Sequence, residues 1–245
     1  MSADLTMPTA PAGHAVLSWP VTAAGSATPV TLAVHLLDFN PAAFEPAAFA
    51  GAAIALPPDV ARSVRKRQAE YFHGRLAARL ALAQADLPVA DVGKGPNREP
   101  LWPAGAIGSI SHNSRRAGAV ALRASAWHGV GIDLESPAPP ELQDSIAALA
   151  VDAAELALLA AHEHVLARDA LLPLVFSAKE SFYKAAYGAV GRFFDFSAVR
   201  VRALGQGWLD FVVAEPLCAE WPVGAGVRAH WRVLEDGDLL TAIIW

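Results

Sequence analysis

The chain has 245 residues, 54% of them apolar and 18% charged, enough to bury a core in one large domain or two small ones and too apolar for a disordered chain. Its net charge of −5 gives no overall positive field to draw the surface to nucleic acid or anionic lipid, so any anion site must be local. Cys218 is the only cysteine, which excludes an internal disulfide and a multi-cysteine metal centre and fits a reducing compartment. The opening MSADLTMPTAP carries no basic residue ahead of an apolar segment, and no later run has the length of a membrane span. A cytoplasmic monomer, neither secreted nor membrane-inserted, is the expectation.

In chain order, the first fifty residues are rich in Ala and Pro, with one strand-like piece, TLAVHLLDF from Thr31 to Phe39, between loop-like ends. After Pro57-Pro58, Asp59 is placed to cap a long helix reaching about Ala85, with Val64, Phe72, Leu76 and Leu80 along one face. Arg62, Arg65, Lys66, Arg67, Arg75 and Arg79 make the other face basic. Such a cluster is usually a solvated face, from which one or two members can grip an anion. The Gly/Pro-rich stretch from Gly93 to Asn113 forbids a helix and forces tight turns, ending in a short strand, GAIGSISH. AGAVALR (Ala117 to Arg123) and WHGVGIDLE then read as a strand pair, placing a midpoint near Ala124.

Pro137, Pro139 and Pro140 break the chain, and helices are expected around Glu141 to Leu149 and from Asp152, with Glu155 as its capping-box partner. A third helix is expected from about Leu171 to Tyr187. Strand patterns return at WLDFVV, VRAHWRVL and LLTAIIW. The class is mixed α+β.

Two strings carry chemistry. In GVGIDLE (Gly129 to Glu135), alternation in a strand puts Asp133 and Glu135 side by side on one face. Like charges that close need a cation between them, or one of them holds a proton. In FSAKESFYKA (Phe176 to Ala185), Glu180 and Lys184 are one helical turn apart with Lys179 beside them. In isolation such an i,i+4 pair is ordinary helix stabilisation of roughly 0.2 to 0.5 kcal/mol. Combined, the strings supply three carboxylates for a hard divalent cation and two ammonium groups for phosphates, a composition suited to phosphoryl chemistry.

GVGIDLE and FSAKESFYKA, in that order and preceded by WPAGAIGSISH, resemble the Sfp-type 4'-phosphopantetheinyl transferases, in particular the branch serving siderophore and broad-range carrier proteins. The resemblance covers about Arg65 to Ala185. It implies the fold of that family: two similar α/β halves in a pseudo-twofold arrangement with coenzyme A between them. The halves are expected at residues 1–124, on the nucleotide side, and 125–245, with the metal and the catalytic helix. It also implies Mg2+-dependent transfer of the 4'-phosphopantetheine arm of coenzyme A to a serine of an apo acyl or peptidyl carrier protein, releasing adenosine 3',5'-bisphosphate. Asp133, Glu135 and Glu180 would bind Mg2+, and Glu180 is also the candidate base. Lys179 and Lys184 would contact phosphate oxygens. Ser111 and His112 would meet the 3'-phosphate, Arg98 would border the nucleotide, and Arg67 and Arg75 would add charge.

Two other classes fit the same acids: a different Mg2+-dependent phosphoryl enzyme acting on a nucleotide, and a non-catalytic module binding coenzyme A or a carrier protein. Other motifs carry less. Ser181 to Lys184 matches S-x-x-K without the S-D-N and K-T-G strings that accompany it in penicillin-binding enzymes. His162 and His164, two apart on an expected helix, diverge and read as surface. G-x-S-x-G, Walker A and G-x-G-x-x-G strings are absent.

Overall fold

The structure is a computed structural model that describes residues 11–245; of the opening segment expected to be loop, residues 1–10 lie outside the described residues, whereas His14–Thr22 forms a strand. The described chain divides into two compact units, one of residues 11–19 and 31–127, the other of residues 20–30 and 128–245.

The first unit contains most of β1 (His14–Thr22) and β2 (Pro29–Asp38), the short helices α1 (Ala48–Gly51) and α2 (Pro58–Ala61), and the long α3 (Arg65–Gln84). A hairpin of β3 (Gly93–Lys94) and β4 (Pro100–Leu101) follows, then β5 (Ala106–His112) and β6 (Arg116–Arg123). The four-stranded sheet runs β1-β2-β6-β5, and α3 packs Phe72, Leu76, Leu80 and Leu82 into a core shared with Leu37, Phe44 and Phe49.

The long helix does not begin at Asp59 as expected. Ser63 Oγ bonds back to Val60 O at 2.6 Å, and the buried Gln68 amide serves Ala61 O and Ser63 O at 3.0 Å each. These bonds satisfy carbonyls that a continuous helix would have used, so the chain breaks and restarts after an extended Val64. Val64, expected on the apolar face, is 73% exposed. Asp59 pairs instead with Lys94.

The second unit contains β7 (Val130–Glu135), α4 (Pro140–Ala150), α5 (Ala153–Ala160) and α6 (Arg168–Val190), then β8 (Val199–Gly205), β9 (Trp208–Val213), β10 (Gly226–Val233) and β11 (Leu239–Ile244). Its sheet order is β7-β11-β10-β9-β8. The expected pairing of the AGAVALR strand with the GVGIDLE strand does not form: β6 lies between β2 and β5, whereas β7 pairs with β11. Alternation identifies strands but not their partners. The Asp152 capping box with Glu155 is present as expected. Pro173 lies inside α6 and cannot donate to Asp169 O, and Ala138 N takes that carbonyl at 2.8 Å. His162 and His164 fall in a turn after α5, where their rings stack at 5.7 Å and do not diverge as on a helix.

Candidate active site

The glycines of GVGIDLE explain how β7 meets α6. A Cβ on Gly131 would lie 1.9 Å from Ser181 O, and one on Gly129 would lie 2.1 Å from Ala185 O. Only bare backbone lets the helix come this close. Because residues two apart share a face, the face that seats α6 at Gly129 and Gly131 continues as Asp133 and Glu135. Across the sheet, Thr241 stands opposite Asp133 in β11. Its hydroxyl meets Ser177 Oγ at 2.9 Å and Ser181 Oγ at 2.8 Å, all three fully buried. These bonds fix the rotation of α6. A buried, hydrogen-bonded Ser181 does not serve as the S-x-x-K nucleophile.

With the helix seated, Lys184 Nζ donates to Asp133 Oδ1 at 2.6 Å and to Ile132 O at 3.2 Å. Asp133 is 4% exposed. Glu135 is pushed up to about 8, first by burial and then by the Asp133 charge, while Lys184 pulls it down. Burial also raises Glu180, opposed by Lys184 and assisted by Asp133. The three acids therefore act on one another through a shared field, with one ammonium among them. As the side chains stand, no group of three or more His, Cys, Asp or Glu among the described residues is set to hold a metal ion. The donor set nevertheless fits a hard divalent cation, since all three groups present oxygen and a cation would oppose the burial and the Asp133 charge that raise Glu135.

Lys179 is placed differently from Lys184. Its ammonium, 2% exposed, pairs with Glu155 Oε1 at 2.8 Å, Glu155 being 4% exposed. Burial lowers Lys179 from the ordinary lysine value, and Glu155 draws it back up. The structure thus engages Lys179 with Glu155 inside the unit. Beside Glu180 lies a pocket of about 130 Å3 lined by Tyr183, Phe193, Phe194, Phe196 and the two motif residues Lys179 and Glu180.

In the first unit, Arg67 Nη1 donates to His112 Nε2 at 2.9 Å, and Glu70 Oε2 lies 3.4 Å from Arg67 and 3.8 Å from His112 Nδ1. Because guanidinium has no acceptor, Nε2 accepts and the imidazole proton sits on Nδ1, toward Glu70. Ser111, the residue before His112, is buried. Arg75 stacks over Tyr71 at 4.4 Å and donates to Gly93 O at 3.2 Å, tying α3 to the β3–β4 hairpin. Arg98 projects from that hairpin, exposed and at φ +69°. Arg79 leaves the basic face altogether: it is 5% exposed, donates to Ala52 O and Ala53 O, and pairs with Asp91.

Sequence reasoning missed the counter-ion of Lys179, although Glu155 was legible as a cap. It also missed Glu70, the Thr241 hydroxyl and the aromatic pocket, for which GRFFDF just after the helix was the available signal.

This α+β chain, with an acid pair on a strand and an acid–lysine pair on the helix packed against it, has the build of a phosphoryl-transfer enzyme. Comparison with known families specifies which. Residues 56–122 match the 4'-phosphopantetheinyl transferase N-terminal domain, and residues 129–225 match the 4'-phosphopantetheinyl transferase superfamily. The 4'-phosphopantetheinyl transferase PptT of Mycobacterium tuberculosis is 35% identical over 195 residues, 76% of this chain and 83% of that protein. Enterobactin synthase component D of Salmonella typhimurium is 38% identical over 154 residues, 62% of this chain and 61% of that protein. The 4'-phosphopantetheinyl transferase Svp of Streptomyces mobaraensis is 39% identical over 140 residues, 56% of this chain and 55% of that protein. The chain belongs to the 4'-phosphopantetheinyl transferase superfamily.

Proposed function

We propose that the protein transfers the 4'-phosphopantetheine arm of coenzyme A to a serine hydroxyl of an apo acyl or peptidyl carrier protein, with Mg2+ as cofactor. The observation that carries this reading is the shared field of Asp133, Glu135, Glu180 and Lys184, in a chain whose relative PptT is named for the transfer.

The serine Oγ attacks the β-phosphorus of coenzyme A. A new P–O bond forms to the carrier, the bond from that phosphorus to the bridging oxygen breaks, and adenosine 3',5'-bisphosphate leaves with the electron pair. Asp133, Glu135 and Glu180 would hold the Mg2+, which would supply charge neutralisation on the pyrophosphate. Glu180 also accepts the serine proton, directly or through a water. Lys184 counters the acids and, partly exposed, would offer its ammonium to a phosphate oxygen. In the first unit, Arg67 with His112, together with Ser111, Arg75 and Arg98, takes the nucleotide phosphates, the arginines as forked donors. The aromatic pocket beside Glu180 excludes water from the reacting centre, strengthening these interactions.

Mass spectrometry of an apo carrier protein incubated with the protein, coenzyme A and Mg2+ tests the proposal. A mass gain equal to the phosphopantetheine arm is expected. An unchanged mass across several carrier proteins, with the nucleotide cleaved, would identify a hydrolase instead.

A further inference from the structure

We propose that Lys179, although part of the AKES string, is a positioning residue that meets no phosphate: its buried pair with Glu155 locks α6 so that the neighbouring Glu180 is held in place. The inference rests on the transferase reading above and assigns a different task to one of its motif residues.

Glu155 uses both carboxylate oxygens. Oε1 accepts from Lys179 Nζ and from Val201 N, each at 2.8 Å, and Oε2 accepts from Asp152 N at 2.9 Å. One side chain thereby joins α6, the start of α5 and β8. On α6, Ser177 and Ser181 are pinned by Thr241. Lys179 lies between them in sequence and makes its bond to a different partner, so two separate anchors hold the turn that carries Glu180. Without the Lys179 anchor, the turn that carries Glu180 keeps only the tie to Thr241 and loses the one to α5 and β8. For Lys179 to reach a phosphate, its ammonium would have to leave Glu155, stranding a buried carboxylate without counter-charge, one of the costliest changes in a protein interior. Lys184, which is 25% exposed, reaches a ligand at much lower cost.

The test replaces the pair together, Lys179→Met with Glu155→Gln, which removes both charges while keeping an acceptor for Val201. Coenzyme A affinity is measured by calorimetry without Mg2+, and kcat by carrier-protein mass shift. The expected result is a coenzyme A Kd within about twofold of wild type and a kcat lower by about tenfold to a hundredfold, the scale of a misplaced catalytic group. Glu155→Gln alone, the harsher variant because it strands the buried Lys179 ammonium, is expected to show the same split in the fraction that stays folded. A coenzyme A Kd weakened tenfold or more would make Lys179 a phosphate ligand and overturn the proposal. A wild-type kcat in both variants would reduce the pair to packing and overturn it equally. The wild-type protein run alongside reports separately on the transferase reading, which fails if no arm is added.

Discussion

Gly131 of β7 and Ser181 of α6 are in backbone contact, with room for no side chain between them: a Cβ on Gly131 would sit 1.9 Å from the Ser181 carbonyl oxygen. This contact sets the distance from which Lys184 reaches Asp133. Gly131→Ala is expected to cost about 3 kcal/mol, the upper end for overpacking, and to lower transfer activity more than that loss of folded protein explains. Gly188→Ala, on the same helix with nothing within 4 Å of the added carbon, is expected to gain about 0.5 to 1 kcal/mol with activity unchanged. Denaturant melts with parallel assays check both.

Lys184→Met removes the cation from a carboxylate that is 4% exposed. A stability loss of about 2 to 3 kcal/mol is expected, less than for a fully buried pair because the lysine is partly exposed. Added Mg2+ should then stabilise Lys184→Met more than wild type, since the ion replaces the missing charge and binds only the folded state. Equal thermal shifts in the two proteins would count against a metal among these acids.

Glu135 gives a pH dependence whose sign follows from its raised value of about 8 against 4.5 in a free side chain. The folded state holds the proton more tightly than the unfolded state. The resulting stabilisation is complete below about pH 4.5 and is lost as pH rises through about 8. Melts of the metal-free protein against Glu135→Gln should show wild type losing ground from pH 5 to 8 and levelling above it. A Mg2+ ion bound here displaces that proton, so calorimetry in buffers of different ionisation enthalpy should detect proton release at pH 7 that fades by pH 9.

The arginines of the long basic helix divide into one the fold buries, Arg79, and one it leaves half-exposed, Arg67. Arg79→Ala is expected to destabilise by about 3 kcal/mol or more, because it leaves Asp91 and two carbonyls short of a donor. Arg67→Ala, at a half-exposed position beside His112, is expected to change stability by less than about 0.5 kcal/mol. It should raise the KM for coenzyme A severalfold. Melts and steady-state kinetics separate the two.

What the sequence made legible was local. The acid pair at a strand end, the Glu180–Lys184 turn, the Asp152 capping box and the Gly/Pro-rich run into β5 all follow from periodicities and caps acting within a few residues. What it hid was pairing at a distance. Arg79 and Arg67 read alike as helix arginines until the loops carrying Ala52 and Asp91 close over one and leave the other open. Lys179 and Lys184 read alike as cations flanking Glu180, yet 3.6-residue periodicity turns one toward Glu155 and the other toward Asp133. The break at Val64 depended on Gln68 reaching back to Ala61 and Ser63, a side-chain bond that no propensity encodes. β6 and β7 were recognised as strands, while their partners were decided by contacts far along the chain.

We propose that Asp133, Glu135 and Glu180 jointly hold the Mg2+ on which arm transfer depends. Calorimetric titration of Mg2+ into the coenzyme A complex of wild type, Asp133→Ala, Glu135→Ala and Glu180→Ala tests it most directly, with circular dichroism confirming each fold. One saturable site is expected in wild type and at least tenfold weaker binding in every variant, with no transfer by a folded Asp133→Ala. Wild-type Mg2+ affinity in all three variants, or full transfer by Asp133→Ala, would contradict it.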